Sequence, residues 1–503
     1  MPILNSIFSW WMKKRMHQIE LFTKYPIEVQ DEWFTELVTA ARGTEWGKKY
    51  RYDEIENLRQ FKERVPVQDY DQVKPFVDRM MMGEQNVLWP TEIKWFAKSS
   101  GTTSNRSKFI PVSREALEEC HYKGGKDMLS IYCSAKEDTE VFTGRTLMMG
   151  GSSQSIDPAR DSYHGDLSSI IIKNLPFWAE IRRTPDRETA LLDDFEQKLD
   201  LMTKICAQEN VTSLSGVPSW MLVLLNRILK DQKKNDISEI WPNLEVFFHG
   251  GVAFTPYREQ FKAIISSSNM HYLETYNASE GFFGIEDQDH QGELLLMLDY
   301  GIYYEFIPNE EWDKEHPETL SLEEVELDKN YALLISTNAG LWRYKIGDTV
   351  QFTSLNPFRV KVSGRTKHFI NAFGEEVIID NAEQALKAAC EKTGAVIEDY
   401  TAAPLFLTNQ KAGRHQWLIE FKANSISSTE SFTSILDDKL REINSDYDAK
   451  RKGDMALEKA EVISLPEGTF YKWMRNRNKL GGQNKVPRLS NNRKYVDEIL
   501  RLI

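Results

Sequence analysis

Between about residues 190 and 370, long amphipathic segments alternate with short apolar runs, and this rhythm restricts the fold more than any other feature of the chain. "LDDFEQKLDLMTKICAQ" and "SWMLVLLNRILKDQKK" carry apolar residues at helical spacing, whereas "NLEVFFHGG" and "MHYLETY" have the length of buried strands. Such alternation predicts an α/β domain with a largely parallel sheet. Two hairpins are predicted to follow. One, in "ELLLMLDYGIYYEFIP", turns at Asp299 to Gly301; the other, in "YALLISTNAGLWRYKIGD", turns at Asn338 to Gly340. Around "SLNPFRVKVSGRTKHF" the rhythm gives way to a smaller αβ unit, which divides the chain into 1–360 and 361–503. A length of 503 residues exceeds one ordinary core and agrees with two domains.

Composition narrows the function. A formal charge of -13 argues against a dedicated nucleic-acid binder, which needs a basic face to neutralise phosphates. The 4 cysteines (Cys120, Cys133, Cys206, Cys390) have neither disulfide-framework nor CxxC spacing, so a reduced, cytoplasmic setting is expected. The 9 histidines include no i, i+4 pair that would chelate a transition metal from one helix face. In "MPILNSIFSWWMKKRMHQIELF" the basic residues follow the apolar run, the reverse of a secretory signal. Ile3, Leu4, Ile7, Phe8 and Trp11 fall at helical spacing, which fits a helix docked on the domain or one lying on a membrane surface. No apolar run reaches the length of a membrane span.

Four segments carry chemistry. In "WFAKSSGTTSNRSKFIPVS" Ile93, Trp95 and Ala97 alternate with Lys94, Phe96 and Lys98, which marks a strand. Ser113 then caps a predicted helix, so the intervening loop reads as a strand-to-helix connection. Its Ser99, Ser100, Gly101, Thr102, Thr103 and Ser104 have the hydroxyls and backbone freedom to surround phosphate oxygens, with Lys108 as a cation. By itself the stretch reads either as a solvated loop or as a phosphate cradle; it lacks the Walker pattern. "YNASEGFFG" offers the ring of Tyr276, the hydroxyl of Ser279 and the carboxylate of Glu280, suited to a base, a phosphate and Mg²⁺, or to an ordinary turn after a strand. "WRYKIGDTV" sets Asp348 at a strand end, where a carboxylate accepts two ribose hydroxyls, although IGD also occurs in plain turns. Arg365 and Lys367, in "GRTKHFINAFGEEVIIDNAEQAL", fall at the domain division.

These segments, taken together and in order, resemble the Gretchen Hagen family of acyl-acid amido synthetases, the auxin-responsive family of plants with bacterial relatives. It is part of the adenylate-forming superfamily of acyl-CoA synthetases, adenylation domains and luciferase. "FKERVPVQDYDQVKPFVDRMMMGE" resembles the family's N-terminal region and "GTFYKWMRNRNKLGGQNKVPRLS" its C-terminal end. The resemblance implies a large N-terminal adenylation domain with mixed, partly parallel sheets flanked by helices, and a smaller mobile α+β C-terminal domain hinged near 364–367.

The resemblance also implies roles. Ser99, Ser100, Gly101, Thr102, Thr103 and Lys108 match the phosphate loop, while Gly250, Gly251 and Val252 in "FFHGGVAF" match the segment lining the adenine and acyl sites. Tyr276 matches the ring stacked on adenine, Ser279 a phosphate contact, Glu280 the magnesium carboxylate, Asp348 the ribose ligand and Arg365 a nearby cation. Val217 and Pro218 in "TSLSGVPSWM" match an acyl-pocket wall. Lys367 matches the hinge and Lys485 the lysine that enters the site for adenylation. Asn105 stands where a second loop glycine is common, Lys345 replaces the usual arginine, and Gly364–Arg365 follow the wider superfamily rather than the plant pattern, which weakens transfer of a plant-hormone substrate. The implied reaction consumes ATP with Mg²⁺ and joins an acyl acid to an amino acid. An acyl-CoA ligase or a catalytically silent nucleotide binder are the alternatives. The acid, the amine and the oligomeric state are not legible in the sequence.

Overall fold

A computed structural model describes residues 2–99, 108–151, 153–157, 162–252, 254–287, 292–312, 314–365, 369–406, 412–422, 425, 428–454, 456–477 and 486–503. Contacts divide the chain into a first unit of Met1–Ser99, Lys108–Phe254 and Phe261–Thr366, and a second made chiefly of Lys367–Ile503.

In the first unit the strands are β1 (Trp95–Ser99), β2 (Lys108–Val112), β3 (Arg145–Met148), β4 (Ser153–Asp157), β5 (Ser162–Asp166), β6 (Arg183–Thr184), β7 (Val211–Gly216) and β8 (Val246–Gly250). They continue as β9 (His271–Ala278), β10 (Gly281–Glu286), β11 (Leu294–Leu296), β12 (Ile302–Pro308), β13 (Asn330–Thr337), β14 (Tyr344–Leu355) and β15 (Phe358–Arg365). An 11-stranded sheet runs in the order β12-β13-β14-β15-β11-β10-β9-β8-β7-β3-β6, and a 4-stranded sheet in the order β2-β1-β5-β4. The large sheet is parallel from β6 to β9 and antiparallel from β9 to β12, so the largely parallel expectation holds for one half of it. The parallel half is covered on its faces and reads as apolar runs: Val246, Phe247, Phe248 and His249 of β8 are all buried. The helix Pro218–Gln232 follows β7 because Pro218 occupies its first turn, where no N–H is required, and Met221, Leu222, Leu225, Ile228 and Leu229 form its buried face.

Several local expectations change. The 100–107 loop joins two antiparallel strands rather than a strand and a helix, since "KFIPV" pairs with β1 in the register Ser99↔Lys108. Ser113 caps the following helical segment as expected, its hydroxyl accepting from the Ala116 N–H (2.9 Å), while the Ala116–His121 stretch is a π-helix. Phe96 and Ala97 are both buried, so β1 lacks the two-faced alternation predicted for it; β2 and β5 pair with its two edges. Asp299 to Gly301 do turn, with Gly301 at φ 69°, yet β11 and β12 are not a hairpin. The buried Gln30 amide donates to the Leu298 and Ile302 carbonyls and accepts from the Tyr304 N–H, which holds the chain as it leaves for the far edge. The second hairpin forms as expected, β13 against β14, with Gly340 at φ 86°.

The N-terminal helix Pro2–Lys13 is docked, with Phe8 and Trp11 of the predicted stripe at the contact. Phe8 stacks on Phe142 (5.6 Å), Met12 is buried, and Asn5 exchanges hydrogen bonds with the Thr139 carbonyl and the Phe142 N–H. Ile7 is exposed, because these hydrogen bonds set the rotation of the helix. Among the described residues no helix is long and apolar enough to cross a membrane.

The second unit contains β16 (Phe369–Ile370), β17 (Val377–Ile378), β18 (Ile397–Leu405), β19 (Arg414–Phe421) and β20 (Glu461–Leu465). Its 3-stranded sheet β18-β19-β20 is joined by the helices Ile379–Thr393 and Thr429–Ile443. Arg451 holds the buried Asp437 through Nε and Nη2, pairing both charges away from water.

Candidate active site

The carboxyl ends of β7, β8 and β9 lie side by side, the usual position for a ligand on an open α/β sheet. Gly250 ends β8 opposite Thr275, and a Cβ built on Gly250 would stand 2.4 Å from the Thr275 carbonyl oxygen. The close approach therefore requires glycine. Gly251 adopts φ 81° and its missing Cβ would lie 3.4 Å from Val217 Cγ2, so the "HGG" turn and the start of the helix after β7 form one surface. Val252 is buried behind it.

Tyr276 follows Thr275 directly, and its hydroxyl donates to Asp348 Oδ2 at 2.7 Å. The two residues come from β9 and β14, which are separated in the sheet by β10, β11 and β15. Tyr276 also packs at 4.8 Å from Phe283. Asp348 faces Arg365 in the β14–β15 register. Ser279 and Glu280 are the two turn residues between β9 and β10, closed by the pair Ala278↔Gly281. Ser99 and Lys108 are partners at the base of the β1–β2 hairpin; Lys108 is buried, with Nζ 5.6 Å from the Tyr70 ring centroid. Ser100, Gly101, Thr102, Thr103, Lys367 and Lys485 lie outside the described residues, as does the side chain of Arg365.

Behind these strand ends lies an apolar cavity of about 130 Å³. Its walls come from the helical segment around His121 to Leu129, from Thr146 and Met148 on β3, from Trp178 to Arg183, and from Ser215 and Phe248. Ser215 lines it from β7, whereas Val217, which the Gly251 turn meets, and Pro218, which begins the next helix, are not among its lining residues. His121 contacts Asn277 Oδ1 through Nδ1 (3.2 Å), and burial pulls its pKa down to about 4, so the imidazole is neutral near pH 7. The adjacent Cys120 thiol is pushed up to about 12 by burial, and its Sγ accepts from the Phe282 N–H; it is a packing residue rather than a nucleophile. Sequence reasoning missed His121, Phe142, Met148, Trp178, Arg182 and Phe248. No spacing rule connects them, because they come from separate elements that only the sheet brings together.

The chain belongs to the GH3 family: the family's N-terminal domain matches residues 15–270, its central domain residues 295–365 and its C-terminal domain residues 380–494. Indole-3-acetic acid-amido synthetase GH3.2 of Arabidopsis thaliana is 23% identical over 68% of this chain and 74% of its own length. Jasmonoyl--L-amino acid synthetase JAR4 of Nicotiana attenuata is 22% identical over 94% of this chain and 92% of its own. Among solved structures, the acyl acid amido synthetase AtGH3.15 in complex with 2,4-DB is similar at a TM-score of 0.63 and 16% identity, covering 97% of this chain and 96% of that one. A 2-hydroxyisobutyryl-CoA ligase with 2-HIB-AMP and CoA gives a TM-score of 0.55 at 12% identity, over 94% and 91% of the two chains. Both likenesses concern the fold.

Proposed function

We propose that this protein is an ATP-dependent, AMP-forming ligase that activates a carboxylic acid as its acyl-adenylate and transfers the acyl group to the amine of an amino acid. The observation that carries this reading is the 2.7 Å Tyr276–Asp348 hydrogen bond beside the Gly250–Gly251 turn, with an apolar cavity directly behind. Tyr276 offers a ring for the base, and the Asp348 carboxylate is of the type that accepts ribose hydroxyls. The cavity accepts the hydrocarbon part of an acid.

A carboxylate is already nucleophilic at neutral pH, so attack of its oxygen on the α-phosphorus needs alignment and charge neutralisation, with no general base. The bond to the bridging oxygen breaks and pyrophosphate departs. In the second step the amine nitrogen attacks the acyl carbon, AMP leaves, and the nitrogen gives up a proton. The buried Lys108 follows the phosphate loop as the cation the resemblance assigns to it, and Lys485 keeps the adenylation role the resemblance implies. Glu280, in a tight turn with Ser279, fits a cation site completed by phosphate oxygens; among the described residues no group of three or more metal-ligating side chains converges. Mg²⁺ bound there would supply charge neutralisation to the phosphates. Unpaired thiols at all four cysteines support a cytoplasmic setting.

The test is pyrophosphate exchange over a panel of carboxylic acids, followed by product analysis with amino acids or CoA. Acid-dependent exchange and an amide product are expected; absence of exchange with every acid refutes the ligase reading, and a thioester in place of an amide reassigns the acceptor. Lys485→Ala should reduce exchange about 100-fold or more while ATP still binds. Wild-type exchange in that variant removes the lysine from the mechanism.

A further inference from the structure

The cavity is mostly apolar, and two guanidiniums, Arg182 and Arg183, line it. Arg182 lines it, donates from Nη2 to the Val141 carbonyl (3.2 Å), and lies over the rings of Phe8 (6.0 Å) and Phe142 (5.4 Å). A guanidinium has five N–H donors. The neighbouring guanidiniums are neutralised: Arg183 makes a two-bond pair with Glu180, and Arg145 pairs with Glu209 at 2.9 Å. Among the described residues no carboxylate pairs with Arg182. A half-buried cation without a counter-charge is costly, and binding an anion relieves the cost. Burial, with Arg145 adding repulsion, pulls its pKa down to about 10, which leaves it charged at neutral pH.

Strand register shows where along the sheet Arg182 stands. Thr146, Ser213, Val246 and His271 stand at one level of the parallel sheet, and Arg183 pairs with Thr146 there. Thr275, which faces Gly250, is four residues further along β9, or about 13 Å at about 3.3 Å per residue. Arg182 therefore stands near the starts of the parallel strands, and His121, through Asn277, near their ends at the level of Tyr276.

We infer that the acyl acid used by this enzyme carries a second anionic oxygen group, such as a distal carboxylate, which Arg182 receives near the starts of the parallel strands while the reacting carboxylate lies beside Gly250 and Tyr276. This rests on reading the cavity as the acyl site of the proposed ligase. The bulk of the substrate is hydrocarbon, held by Met128, Phe142, Met148, Trp178 and Phe248.

Calorimetric binding of octanoate and octanedioate to the full-length wild type, Arg182→Gln and Arg182→Lys tests it, alongside 3-phenylpropanoate and its 4-carboxy derivative. The doubly anionic acid of at least one pair should bind the wild type about 10- to 100-fold more tightly than its singly charged partner. Arg182→Gln should bring that ratio close to one, and Arg182→Lys should keep part of it. Equal or weaker binding of both doubly anionic acids, an unchanged ratio in Arg182→Gln, or binding of none of the four overturns the inference. Pyrophosphate exchange with the same acids separates the two claims. The predicted ratio without exchange removes the ligase reading and keeps the anion site, whereas exchange with the monocarboxylates alone does the reverse.

Discussion

Gly250→Ala places a single methyl group at the tightest point of the candidate site. The new Cβ would meet the Thr275 carbonyl oxygen at 2.4 Å, and ordinary contact begins at 3.4 Å, so β8 and β9 must part by about 1 Å. The Gly250 φ lies outside the left-handed region, so alanine adds no backbone strain and the whole effect comes from the clash. Overpacking of this kind costs about 1 to 3 kcal/mol of stability. Its effect on chemistry should be larger than that suggests, because Thr275 precedes Tyr276, whose hydroxyl is held to Asp348. A misplacement of about 1 Å in a reacting complex lowers the rate about 100-fold. The assay is pyrophosphate exchange at saturating acid, with urea unfolding in parallel. Gly43→Ala, where the added methyl meets nothing within 4 Å, serves as the control and should leave both readouts unchanged. Wild-type exchange in Gly250→Ala would refute the argument that the β8–β9 approach sets the reactive geometry.

Tyr276→Phe removes the bond to Asp348 and should weaken ATP binding about 10-fold or more, measured by titration with ATP; an unchanged affinity would mean that Asp348 needs no orienting partner. His121 predicts a pH effect of defined sign. Its pKa is about 4 in the fold against about 6.5 in an unfolded chain, so below about 6.5 the unfolded chain takes up the proton first. Stability from this group is intact above about pH 7 and lost as the pH falls towards 4, by about 2 kcal/mol at pH 5. Urea unfolding of wild type and His121→Gln at both pH values checks it: the stability difference between them should shrink by that amount at pH 5, and a constant difference would contradict the burial argument.

Much of the candidate site was readable in order along the chain. "VFFHG" and "HYLETYNA" are strands that carry Gly250 at the end and Tyr276 near it, since an apolar run closed by glycine or a polar turn has few other ways to fold; Asp348, expected at a strand end, instead stands inside the 12-residue β14, because the strand continues past the Gly347–Asp348 pair. Other errors were also local in origin. "KFIPV" was hidden because a five-residue strand beside a loop of hydroxyl residues has too little pattern to separate it from that loop. β11 and β12 looked like a hairpin because the turn at Gly301 is real, and the partner that diverts the chain, Gln30, is 268 residues away from Leu298.

The sequence by itself determined most of the longer elements, the ordered motifs and the family, all of which depend on neighbours within a few residues. Only the tertiary structure decided that Tyr276 meets Asp348, that His121, Trp178 and Phe248 enclose one cavity, and that Arg182 lines it without a described counter-charge. Those facts arise from parallel strands and packed helices bringing distant segments to one place. Contacts of that range leave no periodicity in the chain, because each residue in them satisfies its own local pattern equally well wherever its partner lies.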